Sequence, residues 1–216
     1  MESDFWLQRW DNQQIGFHLN EVNPILKQYA QQVFKPAPVF VPLCGKTLDM
    51  PYLVEQQCPV VGVELSELAL DAFEQEQSLL FQREVCEQGL LLQNEHYRLY
   101  QGDFFKLTGN ELAGVHQVYD RAALVALPED LRNAYVQHLL SIMPRPFSML
   151  LVTFEYPQKE MSGPPFSVSC SLVESLFADA HKLERIHYTS ILEQEPRFQA
   201  IGVTELYEAA FVIEYL

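Results

Sequence analysis

The turn Leu43-Cys44-Gly45 and the acidic residue Glu64 have the spacing of a ribose-binding site. The turn ends the apolar run 39–43, and Glu64 lies at the end of the next apolar run, 19 residues beyond Gly45. A carboxylate about 20 residues after such a turn accepts hydrogen bonds from the hydroxyl groups of a ribose. Glycine at the turn lets the backbone approach the ligand closely. The pattern therefore predicts a site for a nucleoside-like molecule.

The tripeptide Gly45-Lys46-Thr47 supports a second interpretation, because the same residue types end a phosphate-binding P-loop. A P-loop has another glycine five positions before its Gly-Lys pair, and Phe40 occupies that position here. A dinucleotide site needs three spaced glycines beside the pyrophosphate, and this turn has one. The site is therefore predicted to hold a nucleoside without phosphates. S-adenosylmethionine is such a ligand, and its positive sulfonium suits an acidic protein.

Charged side chains also follow two later segments of strand character. Asp103 comes shortly after the segment 96–101, and Arg121 comes directly after the segment 116–120. Ligands of open α/β sheets bind at the carboxyl ends of the strands. We therefore expect both residues to lie beside the predicted ribose site.

The order of helical and strand patterns predicts an α/β fold. Strand and helix patterns alternate through the fifth strand, which indicates a parallel sheet covered on both faces. Two final strands follow without a helix between them, so they are predicted to pair antiparallel, while segment 78–94 is ambiguous. The predicted helices are 3–10, 22–34, about 48 onward, 67–77, 129–143 and 168–180, and the predicted strands are 39–43, 59–65, 96–101, 116–120, 147–156, 183–191 and 204–215.

Composition and charge restrict the class of protein. The chain has 216 residues, of which 48% are hydrophobic and 20% are charged, as is typical of one globular domain. Its formal net charge of −15 repels phosphate backbones, so no nucleic-acid partner is expected. The sequence has no apolar run of about 18 residues and no signal-peptide pattern, so no membrane association is expected. The four cysteines lie far apart, which predicts no metal site, no disulfide framework and a cytoplasmic location.

Six separated motifs resemble the thiopurine S-methyltransferase family, especially its bacterial members. They are "FWLQRWDNQQIGFH", "VPLCGKTLDM", "GVELSE", "GDFF", "DRAALVALP" and "GPPFSVS", and the resemblance runs from Phe5 to about Glu208. It implies a Rossmann-like class I methyltransferase with a seven-stranded, mostly parallel sheet flanked by helices. It also implies that residues 1–216 form a single domain in which extra N-terminal helices, within residues 1–35, cap the active site.

The resemblance implies roles for ten residues, with S-adenosylmethionine as the cofactor. Arg121 is implied at the boundary of cofactor and acceptor, where it orients the acceptor as the catalytic residue. Glu64 is implied at the ribose, and Asp103 and Phe104 at the adenine. The implied cofactor contacts are Trp10, Leu43, Gly45, Glu64, Asp103, Phe104 and Arg121, and the implied acceptor contacts are Phe17, Pro164 and Arg197.

The implied reaction is direct methyl transfer to the sulfur of thiopurines and related aromatic or heterocyclic thiols. The protein must align the acceptor sulfur behind the methyl carbon and exclude water, so positioning supplies most of the acceleration. Aromatic thiols ionise more readily than alkyl thiols, so a strong general base is not required and none is assigned. Arg121, helped by Arg197, is expected to favour the anionic acceptor.

Other interpretations stay open from the sequence. A related enzyme could methylate small thiols, halides, or selenium and tellurium compounds, and a protein of another class could bind S-adenosylmethionine without turnover. Arg121 could form an ion pair with Glu64 or Asp103. His18 could contact substrate or form a structural hydrogen bond, and Cys44 is expected to fill the turn as a small buried residue. No apolar stripe is left over after the fold is built, so a monomer that binds a small-molecule thiol is expected.

Overall fold

A mixed nine-stranded sheet forms the centre of the computed structural model, which describes residues 3–216. The strands are β1 (Val39–Pro42), β2 (Val60–Glu64), β3 (Gln82–Cys86), β4 (Gly89–Gln93), β5 (Tyr97–Gly102), β6 (Gln117–Asp120), β7 (Phe147–Glu155), β8 (Lys182–Ser190) and β9 (Tyr207–Tyr215). They lie in the order β3-β4-β5-β2-β1-β6-β7-β9-β8.

The centre of the sheet is parallel. Each neighbouring pair in the series β5, β2, β1, β6 and β7 runs in the same direction, so the carboxyl ends of these strands share one edge. Strand β9 pairs antiparallel with both β7 and β8. The predicted parallel centre and antiparallel closing pair are thus confirmed. The strand order reverses at β1, and such a reversal opens a crevice at the carboxyl ends.

The predicted count of seven strands is wrong, because the ambiguous segment 78–94 supplies two more. Strands β3 and β4 form an antiparallel hairpin, and β4 pairs antiparallel with β5. Four of the five residues of β3 are exposed, so this edge strand lacks the alternation of apolar and polar residues that marks a half-buried strand. Gly89 meets the β5 backbone closely, since a β-carbon there would lie 2.2 Å from the Gln101 carbonyl oxygen.

Seven α-helices occur within the described range. They are α1 (Ser3–Asp11), α2 (Pro24–Val33), α3 (Asp49–Glu55), α4 (Glu67–Glu76), α5 (Glu129–Ile142), α6 (Cys170–Leu176) and α7 (Pro196–Ile201). Helix α6 is shorter than the predicted 168–180, and α7 was not predicted because six residues are too few to show a periodicity. The connection from β5 to β6 contains a 3₁₀ turn at Phe104–Lys106 and no α-helix, so the strand–helix alternation is incomplete there.

Capping residues and a proline mark the N-termini of the helices that flank the site. The Asn23 side chain accepts hydrogen bonds from the backbone of Ile25 and Leu26 and so caps α2. Ser66 caps α4, because its side chain accepts a hydrogen bond from the Ala69 amide. Pro51 lies in the first turn of α3, where it breaks no intrahelical hydrogen bond.

Helices cover both faces of the sheet. One buried cluster includes Tyr135 and Leu139 of α5. The cluster on the opposite face includes Leu26 of α2, Met50 of α3 and Phe73 of α4. Since both faces are covered, the carboxyl edge of the parallel strands is where the sheet can receive a ligand.

Three further observations concern membranes, metals and thiols. Of the helices within residues 3–216, none combines the length and the apolar character that crossing a bilayer requires. The same range holds no group of three or more His, Cys, Asp or Glu side chains placed to share a metal ion. All four cysteines are free thiols.

Candidate active site

A cavity of about 1030 Å³ lies at the carboxyl ends of the parallel strands. Residues that follow β1, β2, β5 and β6 form one wall, and residues of the N-terminal segment and of the loops around 164 and 197 form the other. All ten residues to which the sequence assigns a role line this cavity: Trp10, Phe17, Leu43, Gly45, Glu64, Asp103, Phe104, Arg121, Pro164 and Arg197. Their individual ligand contacts remain predictions.

The turn after β1 brings Gly45 against Trp10. Leu43 and Gly45 both have positive φ angles, 49° and 52°, which is the conformation that glycine adopts most easily. A β-carbon on Gly45 would lie 3.2 Å from Cζ2 of Trp10 and 3.9 Å from Oε2 of Glu64. The turn therefore needs its glycine, and Trp10 and Glu64 border the same small space.

The Glu64 carboxylate is buried and held in a fixed orientation. Oε2 accepts a hydrogen bond from the Gly45 amide at 2.9 Å, and Oε1 accepts one from the Ser66 amide at 2.8 Å. Burial raises the pKa of the Glu64 carboxyl, while the amide donors act in the opposite direction. Each oxygen keeps a second lone pair, so the carboxylate can accept from two ligand hydroxyl groups.

The residues after β5 also line the cavity. Asp103 accepts a hydrogen bond from the Phe105 amide at 2.9 Å and so caps the 3₁₀ turn. Phe104 is buried, and its ring lies 4.9 Å from that of Tyr135, measured between centroids. The turn thus combines an acidic group with an aromatic side chain beside the predicted ribose site.

Asp120 organises the turn that follows β6. Its Oδ1 accepts hydrogen bonds from the amides of Ala123 and Leu124 at 3.0 and 3.2 Å, and its Oδ2 accepts one from the Tyr135 hydroxyl at 2.6 Å. Burial raises the pKa of Asp120 to about 6, although these donors oppose the shift. The fixed turn directs the next residue, Arg121, into the cavity.

Two arginines hold the N-terminal segment across the cavity. Nη1 of Arg121 donates to the Phe17 carbonyl at 3.1 Å, and Nη1 of Arg197 donates to the Gly16 carbonyl. The Phe17 ring makes edge contacts with Trp6 and Trp10 at centroid distances of 5.6 and 5.5 Å. The aromatic cluster and the arginines together fix the position of residues 16 and 17.

The alternative of an Arg121 ion pair is not found. Between the described residues, no salt bridge joins Arg121 to Glu64 or Asp103. Instead its Nη1 donates to a backbone carbonyl, and its Nε is buried without a hydrogen-bond partner. A buried guanidinium nitrogen without a partner is costly.

The sequence did not reveal a buried polar cluster in the cavity wall. Oδ1 of Asp49 accepts from the Asn23 amide at 2.7 Å, and its Oδ2 accepts from the Tyr119 hydroxyl at 2.9 Å. Glu208, at the start of β9, lines the cavity nearby. Asp49 was recognisable only as an acidic residue in a helix first turn, and nothing in the sequence indicates its partners.

Comparisons with known proteins agree with this geometry. A family model described as thiopurine S-methyltransferase matches residues 1–215. A thiopurine S-methyltransferase of Nitrosospira multiformis is 45% identical over 215 residues, covering 99% of this chain and 98% of its own. One from Shewanella pealeana is 42% identical over 213 residues, covering 98% and 97%.

Solved structures show the same fold at low identity. An S-adenosylmethionine-dependent methyltransferase of Anabaena variabilis superposes with a TM-score of 0.66 at 13% identity, over 99% of this chain and 95% of its own. A Burkholderia thailandensis 1,6-didemethyltoxoflavin N1-methyltransferase with bound S-adenosylhomocysteine gives 0.67 at 14%, over 99% and 86%. The predicted Rossmann-like methyltransferase fold is therefore confirmed. From its full-length match to the family model and to these relatives, the chain belongs to the thiopurine S-methyltransferase family.

Proposed function

We propose that this protein transfers the methyl group of S-adenosylmethionine to the sulfur atom of thiopurines and related aromatic or heterocyclic thiols. The observation that carries the proposal is the single cavity in which the Gly45–Glu64 site continues to Arg121 and Arg197. A nucleoside-binding half and an acceptor half thus share one space. Membership of the thiopurine S-methyltransferase family supports the same reaction.

The cofactor half fits S-adenosylmethionine. The Gly45 turn leaves a space between Trp10 and Glu64 that a β-carbon would fill, as a close backbone contact to a ligand requires. The residues that would hold the cofactor are Trp10, Leu43, Gly45, Glu64, Asp103, Phe104 and, at the boundary with the acceptor, Arg121. When bound, it supplies a methyl group on a sulfonium whose leaving group is a neutral thioether.

The acceptor half aligns and stabilises a thiolate. Arg121 and Arg197 bring two permanent positive charges to the same cavity as Phe17 and Pro164, which supply apolar surface for a planar acceptor. The guanidinium groups favour the ionised thiol and direct its sulfur. Burial, and then the nearby Glu64, raise the pKa of the Cys44 thiol well above the ordinary value, which disfavours the nucleophilic thiolate form.

The context of this function is part of the proposal. We infer a monomeric, cytoplasmic enzyme of one domain, in which residues 1–35 cap the active site. The contacts of Phe17 with Trp6 and Trp10 support the cap, because they join helix α1 to the cavity. The net charge of −15 supports a small-molecule substrate and not a nucleic acid.

The reaction is tested by mass spectrometry of the products. Pure protein is incubated with S-adenosylmethionine and 6-mercaptopurine, and the expected products are the S-methylated purine and S-adenosylhomocysteine. Heat-denatured protein is the control for uncatalysed transfer. Absence of methylated product, in a sample that binds the cofactor by calorimetry, would contradict thiopurine methylation.

Gly16→Ala is expected to raise the acceptor KM about tenfold, which corresponds to about 1.4 kcal/mol. A β-carbon at Gly16 would lie 2.6 Å from Nη1 of Arg197. The end of that flexible side chain can swing aside, so the fold should remain intact while the Arg197 contact is lost. The measurement is KM for 6-mercaptopurine at saturating cofactor.

A glycine outside the cavity provides the matched control. A β-carbon at Gly109 would meet only the Ile142 carbonyl oxygen at an ordinary 3.5 Å. Gly109→Ala should therefore leave KM unchanged. A wild-type KM in the Gly16 variant would show that Arg197 does not need the Gly16 carbonyl to bind the acceptor.

A further inference from the structure

One histidine lines the cavity, and the reaction described above does not use it. His18 lies in the cavity wall directly after Phe17. The other five histidines are absent from the cavity lining: His96, His116, His138, His181 and His187. His18 therefore differs from them in being able to meet a bound acceptor.

Backbone contacts hold the segment just before His18 against the two arginines. The two preceding carbonyls, of Gly16 and Phe17, accept hydrogen bonds from Arg197 and Arg121. The His18 amide donates to the Ile15 carbonyl at 2.8 Å. These contacts use main-chain atoms only, and the His18 side chain lines the same cavity as Arg121, whose charge acts on it.

The surroundings of His18 favour a neutral ring. Burial lowers its pKa most, and Lys46 and Arg121 lower it further, whereas Glu76 and Asp49 act in the opposite direction. Glu76 is already paired with Lys46 at 2.5 Å, and Asp49 already accepts from Asn23 and Tyr119. A neutral imidazole can accept a proton, and an imidazole nitrogen is a common general base.

We propose that the His18 imidazole accepts the proton of acceptors that enter the cavity as neutral thiols. The inference rests on the proposed S-methylation. The S–H bond of the acceptor breaks and its proton passes to a ring nitrogen. The freed sulfur electron pair forms the new bond to the methyl carbon, while the pair of the broken carbon–sulfur bond stays with the donor sulfur. The proton leaves to solvent after product release.

His18→Gln should slow the reaction in proportion to the basicity of the acceptor thiolate. The acceptors are 4-nitrobenzenethiol, which enters ionised, and phenylmethanethiol, a much weaker acid of similar size. We expect kcat/KM to fall about 100-fold for phenylmethanethiol and less than about threefold for 4-nitrobenzenethiol. The exposed histidine variant His96→Gln is the matched control and should match wild type with both thiols.

A spectroscopic measurement separates proton transfer from a structural role. In the dead-end complex with S-adenosylhomocysteine, the thiolate absorbance of bound 6-mercaptopurine should appear at lower pH in wild type than in the His18 variant. If the thiolate absorbance appeared over the same pH range in both proteins, the proposal would be wrong. The proposal would also be wrong if the His18 variant lost kcat/KM equally with both thiols. It would be wrong as well if wild type methylated 4-nitrobenzenethiol but not phenylmethanethiol. Failure of wild type with every thiol, 4-nitrobenzenethiol included, would instead remove the proposed S-methylation itself.

Discussion

Glu64→Gln is expected to weaken S-adenosylmethionine binding on the order of 1000-fold, or about 4 kcal/mol. The carboxylate is buried, and both oxygens are oriented by backbone amides. Hydrogen bonds to a charged acceptor contribute roughly 1.5–3 kcal/mol each. Gln removes the charge and replaces one acceptor oxygen with a donor, so it weakens one ribose contact and abolishes the other.

The fold itself should tolerate this substitution. Burial raises the pKa of Glu64 in the folded protein. Because the pKa of Glu64 is higher in the folded protein than in the unfolded chain, protonation of Glu64 stabilises the fold. This stabilisation is complete at pH values below the pKa of the unfolded chain, and it is lost as the pH rises through the pKa of the folded protein. At neutral pH the ionised carboxylate therefore lowers the stability of the cofactor-free protein. The Gln variant cannot ionise and so avoids this cost, but its NH2 group cannot accept from one of the two backbone amides. The two effects oppose each other, so the unfolding free energy without cofactor should change by less than about 2 kcal/mol.

The same pKa shift predicts how cofactor affinity depends on pH. Because the ionised carboxylate is the form that accepts both ribose hydroxyl groups, wild-type affinity should fall on acidification, beginning above the ordinary carboxyl range. In the Gln variant this dependence should be absent.

Calorimetric titration of both proteins with S-adenosylmethionine across pH measures both effects. Glu67→Gln provides the control, since this exposed residue lies in the first turn of α4 outside the cavity. If the Glu64 variant bound cofactor within about threefold of wild type, the assignment of Glu64 to the ribose would be wrong.

The cofactor side of the cavity could be located from sequence because its residues directly follow strands. An apolar run that ends in a turn is local information, and it placed Gly45, Glu64 and Arg121 at the ends of β1, β2 and β6. The parallel centre of the sheet then requires these ends to meet. No long-range contact had to be known to predict that they share a cavity.

The features that could not be predicted from the sequence depend on contacts between residues distant along the chain or on strands without a clear pattern of burial. Asp49 and Tyr119 are separated by 70 residues, and they meet because α3 begins beside the end of β6. The β3–β4 hairpin has an exposed edge strand, whose side chains carry no burial pattern. The arginine contacts to Gly16 and Phe17 use backbone carbonyls, which every residue type has, so composition contains no signal for them.

Arg121→Met is expected to lower kcat/KM for 6-mercaptopurine between roughly 100-fold and 1000-fold. This corresponds to a loss of about 3 to 4 kcal/mol of transition-state stabilisation. The guanidinium makes two kinds of contact in the proposed complex, one to the Phe17 carbonyl and one to the acceptor thiolate. Met preserves the apolar stem and loses both. The unfolding free energy should fall by only about 1 kcal/mol, because the variant loses one hydrogen bond, to the Phe17 carbonyl, while the buried Nε has no partner to lose.

Two further variants test whether the loss of kcat/KM comes from the charge of Arg121 and from its position in the cavity. Arg121→Lys keeps the charge but loses the planar pair of donors, so its kcat/KM should lie between those of wild type and Met. Arg98→Met is the matched control, because Nη2 of Arg98 also donates to a backbone carbonyl, that of Glu111 at 3.1 Å, but lies outside the cavity. Wild-type kcat/KM in Arg121→Met would show that the acceptor is bound and ionised without this guanidinium. Each variant loses one hydrogen bond to a backbone carbonyl, so both should lose a similar small amount of stability, and only Arg121→Met should lose kcat/KM. If kcat/KM fell equally in both variants, Arg121 would act through the fold alone.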